Sequence, residues 1–238
     1  MAAIAAALES ITVPAIKKHT ATVIFVHGLG DTGHGWKPVA DMFQSDPSLA
    51  HIKWVLPHSP QRPVTANMGM IMPSWFDIES FGFKTSEDEH GMMESVRSLT
   101  QLIDAETKSG LSANRIVLGG FSQGAAMSLL TGLTSEKRLA GVVALSGWLP
   151  LEEKFKASLS SHATSVPIFW GHGTSDPLVR LDLANESVDA LKSFGFSVHS
   201  GVQDVTGLSF NTYHGVAHST NIQELSDLKT WISKVLPA

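Results

Sequence analysis

The sequence predicts an α/β fold, a single domain with a mostly parallel central sheet and helices on both faces. Three observations predict it. Short apolar runs rich in Val and Ile recur, the stretches between them carry apolar residues at helical spacing, and no Pro/Ser-rich linker, charge block or internal repeat divides the 238 residues. That length exceeds a typical domain of about 100–150 residues but is within the reach of one α/β domain.

Taken in order, Met1 to Leu8 is apolar, with no Lys or Arg before it and Glu9 directly after, so residues 1–20 read as a short lead-in and not as a signal peptide. The expected strands are Thr22–His27, Ile52–Leu56, Arg115–Gly119, Gly141–Leu145, Val166–Trp170 and a last one near Phe210–Tyr213. Most are continuous apolar runs, as strands covered on both faces require. The clearest helical stripes are Met92, Met93, Val96, Leu99, Leu102 and Ile103, and then Ile222, Leu225, Leu228, Ile232 and Val235. Ile116 to Ser135 holds no charge but contains four glycines and several hydroxyl and amide side chains, which excludes a lipid-facing helix.

Composition narrows the function. Charged residues are 16% and hydrophobic ones 43%, so an ordered core is expected where a typical soluble chain has roughly 25% charge. The net charge of −5 and the lack of a long basic stretch argue against nucleic-acid binding. With no cysteine there is no disulfide, thiolate metal site, thiol nucleophile or lipidated thiol, which fits a reducing, cytoplasmic setting.

The sharpest signal is Gly120-Phe121-Ser122-Gln123-Gly124, a G-x-S-x-G between a strand and a helix-forming run. A nucleophile elbow needs a sharp strand-to-helix turn that lifts one side chain above the sheet, and flanking glycines let the backbone close. Such an elbow predicts an acid and then a histidine later in the chain, each on a loop after a strand. Asp176 lies in such a loop, after Val166–Trp170; Asp182 and Asp189 read as the solvated face of the next helix, and Asp204 as a turn residue. The base is His218 or His214, both on the loop after the last strand, with His172 as a third candidate. Thr220 and Gln223 suggest a capping box for the final helix. His214-x-x-x-His218 lacks the Glu and the helical context of a zinc site, so no metal is expected.

His27-Gly28-Leu29-Gly30-Asp31-Thr32-Gly33 contains a literal G-x-G-x-x-G after a strand. A dinucleotide site would want an acid about 20 residues on, at the end of the second strand, and Ile52 to His58 offers none. No cofactor is expected. The alternative use of the loop is to free the Leu29 N–H as one half of an oxyanion hole, with the Gln123 N–H as the other. The segment Asn67 to Phe76 is strongly apolar yet broken by Gly and Pro. Met68, Met70, Ile71, Met72, Trp75 and Phe76 are therefore candidates for one wall of an acyl site, and Trp148, Leu149 and Leu178 for a second, with ordinary core burial as the competing reading.

Six separated motifs in register extend these readings: His27 to Trp36, Pro73 to Asp77, Gly119 to Gly124, Ala144 to Pro150, Ser175 to Val179, and Tyr213-x-Gly215-x-x-His218-Ser219. Together they resemble the acyl-protein thioesterases of the lysophospholipase/carboxylesterase family. The resemblance implies a single-domain α/β-hydrolase that removes S-linked fatty acyl groups from protein cysteines, with activity on lysophospholipids and small acyl esters. It implies Ser122, Asp176 and His218 as the triad, settling His218 over His214, and Leu29 and Gln123 as oxyanion donors. Some family members carry a lipidated N-terminal cysteine; this chain has none, so at most transient contact with a membrane surface is expected. A homodimer is compatible with the resemblance. The alternatives are a short-chain carboxylesterase and a non-catalytic hydrolase-fold binding protein.

Overall fold

The computed structural model describes residues 8–81 and 86–238, so residues 1–7 of the expected lead-in lie outside the described residues. The chain runs through β1 (Ser10–Val13), β2 (Ala21–Val26), α1 (Gly33–Gln44), β3 (Ile52–Pro57), β4 (Gln61–Val64), β5 (Met70–Pro73) and α2 (Glu89–Lys108). It continues through β6 (Ile116–Phe121), α3 (Gln123–Thr134), β7 (Gly141–Leu145), α4 (Glu152–Ser158) and β8 (Ile168–Gly173). The last elements are α5 (Leu181–Ser193), β9 (Val198–His199), β10 (Leu208–Tyr213) and α6 (Ile222–Val235). Eight strands form one sheet in the order β1-β3-β2-β6-β7-β8-β10-β9. All its pairings are parallel except that of β1 with β3.

Burial on both faces explains the apolar strands. Ile24 and Val26 of β2 enter one core, Val23 and Phe25 the other; β7 divides the same way, with Val142 and Ala144 against Val143 and Leu145. The first core is closed by α2, α3 and α5 through residues such as Leu99, Leu129 and Leu191, the second by α1 and α6 through Phe43 and Trp231.

All six expected strands are present within a residue or two at most ends. Four others were not anticipated. β1 lies inside the stretch read as a lead-in, an antiparallel edge strand of four residues of which only Val13 is buried, and its alternation is too short to stand out. β4 and β5 form a separate two-stranded hairpin, and β9 has only two residues. Helix α1 is not among the expected helices, and its Gly33, Gly35 and Pro38 are poor helix formers. Burial of Trp36, Ala40 and Phe43 holds it in place, and the Thr32 hydroxyl caps it by accepting from the His34 N–H at 3.3 Å. At α6 the cap is Asn221, which accepts from the Glu224 N–H at 2.8 Å, and not the Thr220–Gln223 box expected one residue earlier.

The topology fixes where a site can form. β2 and β6 are neighbours, with Val26 beside Gly120, yet the helices that follow them, α1 and α3, pack on opposite faces. Connections that part in this way leave a crevice at the carboxyl ends of the two strands.

Candidate active site

Ser122 stands at that crevice, between the last residue of β6 and the first of α3, with φ 55° and ψ −118°. A left-handed φ on a residue other than glycine is costly and persists only where the surroundings enforce it. Here the enforcement is close packing. A Cβ on Gly124 would lie 2.1 Å from the Val26 carbonyl oxygen, and one on Gly120 would lie 2.4 Å from the Gly124 backbone. The two glycines let β6, α3 and the end of β2 touch, and the serine side chain is turned out.

Two loops bring partners to it. His218, after β10, places Nε2 2.9 Å from the Ser122 Oγ, and its Nδ1 is 2.7 Å from Asp176 Oδ2 in the loop after β8. A carboxylate accepts, so Nδ1 carries the proton and the Nε2 lone pair faces the serine hydroxyl, which donates to it. The other carboxylate oxygen of Asp176 accepts from the Leu178 and Val179 N–H groups, both at 2.9 Å. Its side chain is wholly buried and is therefore fixed in direction. The Phe121 ring packs against the His218 imidazole with centroids 4.8 Å apart.

The other histidines are placed elsewhere. His214 is exposed on the turn after β10. His172 is buried below Asp176 and donates from Nε2 to the Val179 carbonyl at 2.8 Å. Desolvation pushes its pKa below the ordinary 6.5, so it is neutral and leaves the Asp176 charge to His218. Asp182 is exposed and paired with Arg180, and Asp204 accepts from Thr206 in a surface turn. Among the described residues no group of three or more His, Asp or Glu side chains could hold a metal ion.

The loop after β2 meets the elbow. A Cβ on Gly28 would sit 3.3 Å from the Ser122 Cβ, so this loop, with Leu29 next in the chain, runs close against the serine that Gln123 follows. Neither N–H donates to another group among the described residues, and Gln123 opens α3, where N–H groups are left free by helix geometry. The loop is tied down by side chains that the sequence reading did not find. His27 donates from Nδ1 to the Gly28 carbonyl at 2.7 Å and accepts at Nε2 from the Ser59 N–H at 3.1 Å. That bonding fixes a neutral ring, in line with a pKa lowered by burial. Trp75 Nε1 donates to the His27 carbonyl at 2.9 Å, and the Gly30 N–H donates to the Pro73 carbonyl at 2.9 Å.

Segment 73–76 is in turn gripped by the Gln123 side chain, which is fully buried. Its Oε1 accepts from the Trp75 N–H at 2.9 Å, and its Nε2 donates to the Phe76 carbonyl at 2.7 Å and to the Ser74 Oγ at 3.0 Å. The Ser95 hydroxyl of α2 donates to the Trp75 carbonyl. A signal for this clamp exists in the sequence: Ser74 is a lone small polar residue in an apolar run, and polar residues buried there must find partners.

An apolar cleft of about 210 Å³ opens beside Ser122 and His218, lined by Leu29, Ile78, Phe81, Phe121, Trp148, Leu178 and Val179. Of the expected acyl-wall residues, Trp148 and Leu178 line it and the others do not. Met68, Met70 and Ile71 stand exposed on the β4–β5 hairpin: Met68 is in the turn and 91% accessible, and the neighbours Met70 and Ile71 point to opposite faces, so both faces meet solvent at the start of β5. Met72 is half-buried against the core, and Trp75, Phe76 and Leu149 are inside it. Ile78, Phe81 and Val179 line the cleft as well. They come from short, irregular segments without periodicity.

The Phospholipase/Carboxylesterase family model matches residues 8–236. Acyl-protein thioesterase 1 of Cryptococcus neoformans var. neoformans serotype D is 48% identical over 237 residues, covering 96% of this chain and 98% of its own. Its namesake in Neurospora crassa is 42% identical over 232 residues, covering 94% and 91%. Among solved structures, Zea mays acyl-protein thioesterase 2 matches with a TM-score of 0.82 at 28% identity, over 96% of this chain and 99% of that one. Arabidopsis thaliana SOBER1 matches with a TM-score of 0.82 at 32% identity, over 91% and 99%. The match across residues 8–236 takes in every loop that carries a side chain to Ser122, and the chain belongs to the Phospholipase/Carboxylesterase family of α/β-hydrolases.

Proposed function

We propose that the protein removes long-chain acyl groups from protein cysteines by a two-step serine mechanism, with lysophospholipids and small acyl esters as further substrates. The observation that carries this reading is the unbroken line from Asp176 through His218 to Ser122, at 2.7 and 2.9 Å, beside an apolar cleft. His218 Nε2 takes the Ser122 proton as Oγ bonds to the thioester carbonyl carbon. The electron pair moves onto the carbonyl oxygen, which the Leu29 and Gln123 N–H groups hold. Asp176 stabilises the imidazolium and keeps it oriented. The oxyanion then collapses, the C–S bond breaks, and the Nε2 proton goes to the leaving sulfur. A water molecule, deprotonated by the same nitrogen, attacks the Ser122 ester; the C–O bond breaks, the fatty acid leaves and the proton returns to Oγ.

Each buried methylene contributes about 0.8 kcal/mol, so four more carbons inside the cleft favour binding by roughly 3 kcal/mol. The second reading, a short-chain carboxylesterase, draws on the cleft size of about 210 Å³, which is below the roughly 300–1,000 Å³ usual for larger ligands. Work in the cytoplasm with transient membrane contact fits a chain without cysteine. Among its described residues no helix is long and apolar enough to cross a membrane.

Hydrolysis of an S-octanoyl peptide, followed by thiol release, tests the proposal, and the cysteine-free enzyme contributes no background. Ser122→Ala is expected to abolish both this release and labelling by a fluorophosphonate. His218→Ala is expected to lower kcat by about 10³-fold or more, while His214→Ala leaves it unchanged. Persistent labelling of Ser122→Ala, or a loss that follows His214, overturns the assignment. Cleavage of p-nitrophenyl acetate far better than the octanoate would leave the short-chain reading.

A further inference from the structure

Two clefts diverge from His218. Besides the apolar one, a second of about 290 Å³ lies against α1 and the loop that carries His218, bordered by Trp36, Val39, Ser219 and Thr220. Asp31, Phe121 and His218 border both. Under the acyl-transfer reading above, on which this inference rests, the carbonyl carbon lies at Ser122 Oγ and the acyl chain fills the apolar cleft. The leaving sulfur must then face His218 Nε2, because that nitrogen returns the proton to it. The chain attached to the sulfur can only run out through space that touches His218 and is not taken by the acyl tail. The second cleft satisfies both conditions.

Its chemistry is distinct. Trp36 and Val39 give it an apolar floor, Ser219 and Thr220 give hydroxyls, and the charge comes from the half-buried Asp31. One oxygen of that carboxylate accepts from the Thr32 N–H at 2.7 Å, and no cation of the described residues pairs with it. Lys37 on the same helix is already paired with Asp41 at 2.7 Å. We propose that this cleft is the leaving-group subsite, and that Asp31 makes it prefer a peptide with Lys or Arg beside the acylated cysteine.

Three S-octanoyl peptides that differ only in Lys, Gln or Glu next to the cysteine test this, with kcat/KM read from thiol release and p-nitrophenyl octanoate hydrolysis measured in parallel. The wild-type enzyme is expected to favour the Lys peptide over the Glu peptide by roughly fivefold at low salt, less at 1 M salt. Asp31→Asn keeps an acceptor for the Thr32 N–H and is expected to bring the ratio close to one. Val39→Lys, which sets a cation in the same cleft, is expected to invert it. Equal rates on all three peptides, or a ratio that Asp31→Asn leaves intact, overturn the subsite and leave the thioesterase reading standing. No thiol from any peptide while the aryl ester is still cleaved overturns both.

Discussion

Replacing the Gln123 side chain separates two roles that one residue combines. In the proposed mechanism its backbone N–H holds the oxyanion, whereas its side-chain amide holds segment 73–76 against the loop that carries Leu29. Gln123→Met keeps the N–H and the volume and removes the amide. The Trp75 N–H then has no acceptor, which costs about 1–3 kcal/mol for a buried donor. The Phe76 carbonyl loses the 2.7 Å bond from Nε2 but keeps the Ser74 hydroxyl at 2.6 Å, so its loss is nearer to 1 kcal/mol. Together these give a loss of roughly 2–4 kcal/mol, which for a chain of this size lowers Tm by about 5–15 °C. Freed of the clamp, Trp75 no longer fixes the His27 carbonyl, and the Leu29 N–H drifts from the position the oxyanion needs. One misplaced donor costs on the order of 10²-fold in kcat, with KM little changed. Urea unfolding and steady-state kinetics on p-nitrophenyl octanoate read both effects. Gln123→Glu is a rescue at low pH, where a protonated carboxyl both accepts from Trp75 and donates to Phe76, and it should fail once that carboxyl ionises. A Gln123→Met enzyme with wild-type kcat and a stability loss under about 1 kcal/mol would refute the clamp.

Two further outcomes are expected. Glu224 of α6 is fully buried, neither carboxyl oxygen has a hydrogen-bond partner among the described residues, and desolvation pushes its pKa from 4.5 up to about 8. Between those values the unfolded chain has released the proton and the folded one keeps it, so stability falls by about 1.4 kcal/mol per pH unit and levels off above pH 8. Glu224→Gln should therefore raise the urea midpoint at pH 8 and match the wild type near pH 4.5; parallel pH curves contradict this. Leu178→Ala should cut the preference for octanoate over acetate by roughly fivefold, whereas Met70→Ala should not, because only Leu178 borders the cleft. Equal effects would return the hairpin to the acyl site.

What could be read from the sequence follows from where each signal originates. The strands were legible because covering both faces demands an unbroken apolar run, and the elbow because close packing admits only glycine at residues 120 and 124. Asp176 was legible from its place after a strand, and the choice of His218 over His214 rested on family resemblance. Most of the residues expected for an acyl wall lie away from the cleft, because apolar composition does not say which residues of a short hairpin are covered: Met70 and Ile71 are 54% and 72% exposed, while Trp75, a few residues on, is fully buried. β1 depends on a partner strand more than 40 residues on, β9 is only two residues long, and the Gln123 clamp depends on backbone groups 47 and 48 residues away. No local pattern encodes such pairings.

The distance that His218 must bridge explains one more feature of the carboxyl edge. Between β6, which carries Ser122, and β10, which leads to His218, lie β7 and β8. Three strand spacings of about 4.8 Å put the two chain ends roughly 14 Å apart, beyond the reach of an imidazole held at its own strand. The loop after β10 closes the gap by folding back over the end of β8. There the Ser175 N–H donates to the Val216 carbonyl at 3.0 Å, and the Gly215 N–H donates to the Thr174 hydroxyl at 2.9 Å. Gly173 makes the crossing feasible, since a Cβ there would lie 2.2 Å from the Val216 carbonyl oxygen and 2.7 Å from that of Ala217. The same crossing brings His218 down onto Asp176, three residues past Gly173, so one backbone contact sets both the reach of His218 towards Ser122 and its bond to Asp176.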